Sequence, residues 1–529
     1  MPRTPLFRTL RRSYRLAQLS LRTGEPPLEL VERSQSLAGI TRRRFLETSS
    51  LAAAAVVAGC TSTGPSRRDL SHLPEVAVFG AGIAGLTAAY RLSQRGVPVR
   101  VYEAQERVGG RMYSLRGAFP DNHVIELGGE LIDTGHTHIR ELVRHLGLTL
   151  EDYHNDDPKL AQDVWFFEGK VYSDAEVVAA FRPVAARIQE ALGTLKGDWV
   201  SYAEPNGGEA LDRQSLAEWL NSVPMERWFH KLLDVAYTGE YGLEIDHQSA
   251  LNLLLLISAE PEPFEIFGDS DERFHIHGGN DQVPTRLAER LGSKIERGAR
   301  LEAVSRGADG RYSCSVRRGE ASSTVSAEHV ILALPFTLLR DVKLDVELPA
   351  VKKKAITELG YGTNAKLMVS FSQRLWRTVG KSNGSTVTDL PFQATWETTR
   401  LVPGESGILV NFTGGRQGIA VGKGTPASQA EAFAHQLDRV YPGISKLRQN
   451  EVLFHWPSHP FTRGSYSCYK PGQYTGFGGE EATAVDGLHF AGEHTSQDAQ
   501  GYLEGGCESG DRAAHEILVD LGLAKPDKE

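Results

Sequence analysis

Cysteine is scarce: four in 529 residues, at Cys60, Cys314, Cys468 and Cys507. The three beyond the first sixty residues are an odd number without metal-type spacing, so neither a disulfide framework nor a zinc site is expected, and packed thiols are. No internal repeat or long low-complexity run is visible. The apolar run Leu51 to Ala58 is too short to span a bilayer as a permanent helix. Formal net charge is only −9 with His neutral, which gives no reason to expect nucleic acid and favours cationic over anionic small molecules. No Ser/His/Asp or Cys/His nucleophile is set up. The remaining composition is that of a soluble protein, on a chain long enough for two lobes.

The first sixty residues stand apart. Met1 to Arg33 is rich in arginine and lacks a periodic apolar face, and a polar stretch then leads into Thr41-Arg42-Arg43-Arg44-Phe45-Leu46. Leu51 to Ala58 follows, closing on Val57-Ala58-Gly59-Cys60. The pattern resembles a twin-arginine export signal with a bacterial lipoprotein cleavage box, Cys60 being the lipidated residue and anchor. The alternative is a basic tail with an incidental Ala-rich helix. Export by that route carries folded protein and leads to the periplasm, free or membrane-anchored. Residues 61–73 read as a polar linker.

From Pro74 the sequence PEVAVFGAGIAGLTAAYRLSQRGVPVRVYE joins an apolar strand, the turn Gly80-Ala81-Gly82-Ile83-Ala84-Gly85, an amphipathic helix and a second strand ending in Glu103. Gly80 permits the tight turn, Gly82 lets backbone approach a pyrophosphate, and Gly85 lets the helix pack on its strand. The helix N-terminus adds free N–H groups and a positive dipole end. Glu103 suits an adenosine ribose hydroxyl.

Three separated segments read as one α/β nucleotide lobe: residues 74–150, 274–341 and 484–523. The first insertion, 151–273, is helical by periodicity, and the second, 342–483, mixes strands such as AKLMVSF with helix. The crevice between lobes is the expected ligand site. Paired glycines beside arginine or acid recur in Arg107-Val108-Gly109-Gly110-Arg111 and Glu126-Leu127-Gly128-Gly129-Glu130, where backbone and guanidinium can meet a phosphate or a flat ring. Near the end stand His489-Phe490-Ala491-Gly492-Glu493-His494-Thr495 and Gly501-Tyr502-Leu503-Glu504-Gly505-Gly506, a strand closing on an acid and then a helix whose positive end faces the crevice.

In this order, with HIHGGNDQVPTRLAERLG at His275 to Gly292 and VILALP, these motifs resemble the FAD-dependent amine oxidase family of monoamine, polyamine and L-amino acid oxidases. The resemblance spans Pro74 to about Leu523. It implies an α/β fold, a discontinuous Rossmann-like FAD-binding domain with an inserted α+β substrate-binding domain. It also implies oxidation of a C–H next to nitrogen to an imine, hydrolysed to a carbonyl and ammonia, with O2 reduced to hydrogen peroxide. Gly80, Gly82, Ala84 and Gly85 would hold the pyrophosphate and Glu103 the ribose. Arg107, Gly110 and Arg111 would serve the diphosphate and flavin side, with Gly128, Gly129 and Glu130 also on the cofactor. Val304 matches the position whose backbone touches adenine. Glu493 would take the ribityl chain, and the Leu503 amide the flavin carbonyl.

Lys366, in GYGTNAKLMVSF, resembles the family lysine that holds a water against flavin N5; the alternative is a solvated lysine on a strand. Tyr466 and Tyr502 match the two aromatic walls that sandwich the amine. Where some relatives carry the cysteine bonded to flavin, alignment through Gly464 puts Ser465, and Cys468 is out of register. Non-covalent FAD is therefore expected.

The arginine that one amino acid oxidase branch carries after the second glycine pair is absent; the stretch reads Glu130-Leu131-Ile132-Asp133. Either these acids favour a second cation, as in diamines or basic amino acids, or they cap a helix and bind backbone. A desaturase or dehydrogenase of the same superfamily using another electron acceptor is the alternative function. A nicotinamide dehydrogenase would share only the first fingerprint, and a silent flavoprotein would need neither Lys366 nor the tyrosines. A homodimer is left open as the assembly state.

Overall fold

The structure is a computed structural model and describes residues 73–526, except 120, 122 and 261–263. The expected export signal and lipidation site at residues 1–60 lie outside the described residues, as does all but the end of the linker.

Strand β1 (Val76–Phe79) is buried at every position, as an uninterrupted apolar run demands of a central parallel strand. It pairs in parallel with β2 (Val99–Tyr102) on one side and β4 (His329–Leu332) on the other. With β3 (Ile295–Glu296) and β6 (Leu488–Phe490) these form a parallel sheet of order β6-β4-β1-β2-β3. Helix α1 (Ile83–Gln94) follows β1 directly. The C-terminal helix α3 (Leu503–Asp520) packs across it. Gly510 makes that approach feasible, because a Cβ there would lie 2.4 Å from the Ala84 carbonyl oxygen.

A second sheet on this lobe joins Ala321–Ala327, Tyr312–Arg318, Ala299–Arg306 and Lys343–Asp345 in that order. Lys343–Asp345 and the following helix Ala350–Glu358 lie beyond the boundary expected at residue 341. Ala355 and Ile356 enter the same apolar core as Phe79 and Val330, so the nucleotide lobe continues to about Leu359.

The other lobe has a seven-stranded sheet in which β5 (Ala365–Phe371) is antiparallel to both Gly407–Thr413 and Arg448–His455. All seven β5 residues are buried. Helices Asp174–Gly193, Leu216–Ser222 and α2 (Arg227–Tyr241) close a separate apolar cluster around Phe181, Trp219, Phe229 and Leu233. Capping boxes at Ser173/Glu176 and Ser215/Glu218 start the first two. Among the described residues no helix is long and apolar enough to cross a membrane.

Candidate active site

A cavity of about 1360 Å³ runs from the turn after β1 to the start of β5. Gly80, Gly82 and Glu103 line one part of it, Lys366, Tyr466 and Tyr502 another. Ordinary small-molecule pockets hold about 300–1,000 Å³, so there is room for a large cofactor and a substrate together.

Each glycine of the first turn has a distinct steric reason. Gly80 has φ +106°, and a Cβ there would stand 2.5 Å from the Ala333 carbonyl oxygen. At Gly85 a Cβ would stand 2.0 Å from the Gly80 carbonyl oxygen. At Gly82 a Cβ would meet nothing within 4 Å, because that face opens into the cavity. No side chain caps α1, so its first N–H groups are free for an anion. The second glycine loop is tied to the first: Gly109 N–H donates to the Ala81 carbonyl at 2.8 Å.

Glu103 lies within this cradle. It accepts N–H bonds from Ala81 (2.7 Å) and Gln105 (2.8 Å), and burial raises its pKa above the usual carboxylate range. Each oxygen keeps one lone pair for a ribose hydroxyl.

Two expected cofactor residues sit elsewhere. Arg107 does not line the cavity: it donates to the Gly110 carbonyl at 2.7 Å and stacks 4.0 Å over the Tyr113 ring, bracing the loop from behind. Val304 is fully buried in the lobe's core, while Leu301, beyond the strand irregularity between Leu301 and Ala303, lines a second cavity with Gly80, Tyr102 and Ala104. Leu301 rather than Val304 therefore borders open space on this side of the turn.

Arg111 donates to the Ser465 carbonyl and to Glu493, both at 2.8 Å. Glu493 also accepts from the Ser467 hydroxyl (2.8 Å) and the Gly501 N–H (2.9 Å). Burial would raise its pKa, but the Arg111 guanidinium overrides this and holds the carboxyl below its usual range. With these donors in place Glu493 is a tie between three segments more than a free acceptor. Gly128 and Gly129 are required by crowding: added Cβ atoms would lie 1.8 Å from the Arg111 carbonyl oxygen and 2.3 Å from Leu503 Cδ2. Leu503 opens α3, whose N-terminus has no side-chain cap and lies on the cavity.

Lys366 is not a solvated strand lysine. Its Nζ donates to the Gly128 carbonyl (2.8 Å), the Glu126 carbonyl (3.2 Å) and Glu130 Oε2 (2.8 Å). Glu130 is thus its counter-ion rather than a cofactor ligand or a cation trap at the mouth. Burial pushes the Glu130 pKa up, and the Lys366 ammonium pulls it below the ordinary value. Glu130 Oε1 and the nearby Trp396 Nε1 are buried polar atoms on the cavity without hydrogen-bond partners.

Tyr466 and Tyr502 are brought together by α2: the Tyr466 hydroxyl donates to the Gly239 carbonyl (3.3 Å) and that of Tyr502 to Glu240 (3.0 Å). Burial raises Glu240 to about 7. Glu272 lines the cavity with an exposed side chain, and desolvation there followed by repulsion from Glu240 and Asp133 raises it to about 8. Asp133 accepts the Glu272 N–H at 2.9 Å. Arg400 lines the same cavity. Sequence reasoning missed Glu240, Glu272, Trp396 and Arg400, which lie outside the glycine motifs and carry no local signature.

Ser465 lies on the cavity and donates to Asn364 at 2.6 Å, whereas Cys468 is buried beside Asn252 and off the cavity lining. The other two thiols, Cys314 and Cys507, are also free and buried. An open Gly82 face beside uncapped N–H groups, a second uncapped helix end and orphaned polar atoms on one continuous cavity fit a flavin adenine dinucleotide.

The chain belongs to the flavin-containing amine oxidoreductase family, whose pattern matches residues 83–518. It is 24% identical over 473 residues to an L-amino-acid oxidase of Gloydius halys, covering 84% of this chain and 89% of that one. Cyclohexylamine oxidase from Brevibacterium oxydans superposes with TM-score 0.74 at 23% identity, over 85% of this chain and 99% of that one. Putrescine oxidase bound to putrescine superposes with TM-score 0.73 at 21% identity, over 84% and 99%.

Proposed function

We propose that this flavoenzyme oxidises a small amine carrying a second positive charge, a diamine or a basic amino acid. In that reaction the amine, one O2 and one water give the carbonyl compound, ammonia and hydrogen peroxide. The observation that carries the reading is the group of carboxylates, Asp133, Glu240 and Glu272, set beside Tyr502 on the cavity. The flavin, bound without a covalent link, supplies the two-electron acceptor that O2 reoxidises. The chain's residues do the rest. Tyr466 and Tyr502 present ring faces to the reacting amine, and the carboxylates hold the distal cation and so set its depth. Lys366 is pinned where a polar group can meet the reacting edge. The apolar walls keep bulk water away.

Peroxide release measured with putrescine-like diamines, L-arginine, L-lysine and apolar monoamines tests this. A preference for the apolar monoamines would overturn the second-cation reading. Arg400 on the cavity favours the basic amino acid within this pair, as a partner for the carboxylate. Arg400→Met should then raise KM for L-lysine and leave a diamine unaffected. Acid precipitation should release the yellow chromophore; pigment retained on the protein would refute the non-covalent link.

We also propose twin-arginine export and lipidation, supported by Arg42-Arg43 before Phe45-Leu46 and by Cys60. Replacing both arginines with lysine should strand the protein in the cytoplasm, and Cys60→Ser should release it from the membrane fraction. Unchanged fractionation of both would end that reading.

A further inference from the structure

Away from the cavity, two histidines and an acid converge behind the parallel sheet. His329 opens β4 and His489 lies at the centre of the adjacent β6, paired with Ile331. Since alternate residues share a face, both imidazoles point to the same side, with ring centroids 5.7 Å apart. Asp520, the last residue of α3, comes up beneath them: its Oδ2 is 3.9 Å from His329 Nδ1 and 3.9 Å from His489 Nε2. Those two ring nitrogens are buried and have no hydrogen-bond partner. The His489 side chain is only 1% exposed.

The tautomer of His489 is set from its other side. Nδ1 lies 2.8 Å from Glu516 Oε2, and Glu516 is itself fixed by Arg512 at 2.7 Å. As a carboxylate, Glu516 can only accept, so Nδ1 carries the proton and Nε2 presents its lone pair toward Asp520. Two imidazole nitrogens and a carboxylate, with a carboxylate–histidine brace behind one of them, are the donor set and outer-shell pattern of a zinc-class centre. Two facing, unsatisfied ring nitrogens are otherwise costly to bury.

We propose that His329 Nδ1, His489 Nε2 and Asp520 bind one divalent transition cation of the zinc class, with water completing a tetrahedron. The three donor atoms lie within 4.8 Å of one another. Bonds of about 2.0–2.1 Å place ligands about 3.3 Å apart in a tetrahedron; rotation of Asp520 on the exposed end of α3 closes its two 3.9 Å separations, and the imidazoles close theirs by turning about their side-chain torsions. The ion would staple the C-terminal helix to the strand that leads into Glu493. Cysteine spacing gave no reason to expect a metal, and the two histidines and the acid, on three separated elements, form no motif in the sequence.

The test uses the untagged, flavin-loaded protein, stripped with a chelator and dialysed against Zn2+. Atomic emission should find one zinc per chain, and the melting temperature should rise with Zn2+. The exposed variant Asp520→Asn and, separately, His329→Gln should each weaken zinc binding at least tenfold, with flavin content and peroxide production unchanged. Glu516→Gln should weaken it by about 10- to 100-fold, as loss of an outer-shell partner does. Failure of the parent protein to take up stoichiometric zinc overturns the proposal, and so does uptake that persists undiminished in the Asp520 and His329 variants.

Discussion

Substituting Glu130 by Gln removes one charge from a pair in which the Lys366 side chain is 6% exposed and that of Glu130 2%. The ammonium would keep its two carbonyl acceptors, at Glu126 and Gly128, but lose its counter-ion. Breaking a buried pair from one side costs about 3–5 kcal/mol, because the remaining charge is left uncompensated. Over residues 73–526, at about 2.1 cal/mol/K of unfolding entropy per residue, each kcal/mol is worth about 1 °C, so Tm should fall by about 3–5 °C. The double variant Glu130→Leu/Lys366→Met removes both charges and should recover most of that loss, since apolar replacement of a buried pair is often neutral. Its flavin reduction, followed by stopped flow, should nevertheless remain slow. Calorimetry and reduction kinetics on the three proteins settle the point. A Glu130→Gln drop below about 1 °C, or a double variant no more stable than the single one, would refute the uncompensated-charge argument. Normal reduction without Lys366 would remove it from the catalytic residues.

The carboxylates beside Tyr502 should make cation binding pH-dependent. Glu240 and Glu272, raised to about 7 and about 8, are neutral at pH 6 and charged at pH 9, so a permanently charged bis-quaternary competitor should bind about tenfold or more tightly at the higher pH, and Glu272→Gln should flatten the profile. Because these folded-state values exceed the unfolded value of about 4.3, their contribution to stability is present at low pH and is lost as pH rises through about 8; calorimetry of the ligand-free protein reads that sign. Gly82→Ala should fold normally and bind flavin at least tenfold more weakly, whereas Gly85→Ala should lower Tm of the apoprotein as well; identical behaviour of the two would contradict the steric assignment. Tyr502→Ala should raise KM for amines about 2- to 30-fold, the equivalent of about 0.5–2 kcal/mol for a cation over a ring, with flavin retained; loss of flavin would instead place Tyr502 on the cofactor.

The strand, the Gly80-to-Gly85 turn and helix α1 were legible in the sequence because their constraints are local. At Gly85 the clash is with Gly80 a few residues back, and strand-turn-helix order leaves few alternatives; the clash at Gly80 itself is with Ala333 on a distant segment. Glu103 and the helix end at Leu503 were legible in the same way; the glycine pairs were legible as motifs, although part of their crowding comes from distant residues such as Leu503. Partnerships across long chain separations were decided only by tertiary structure. Lys366 meets Glu130 across 236 residues and Tyr502 meets Glu240 across 262, so neither the neutralisation of Glu130 nor the acid group beside the tyrosines has a local signature. Which residue of the strand Ala299–Arg306 borders the second cavity, Leu301 and not Val304, was likewise visible only in the folded chain. The sequence by itself determined the flavin cradle and the family; packing of distant segments decided which charges are paired, which face the cavity, and which two histidines meet an aspartate behind the sheet.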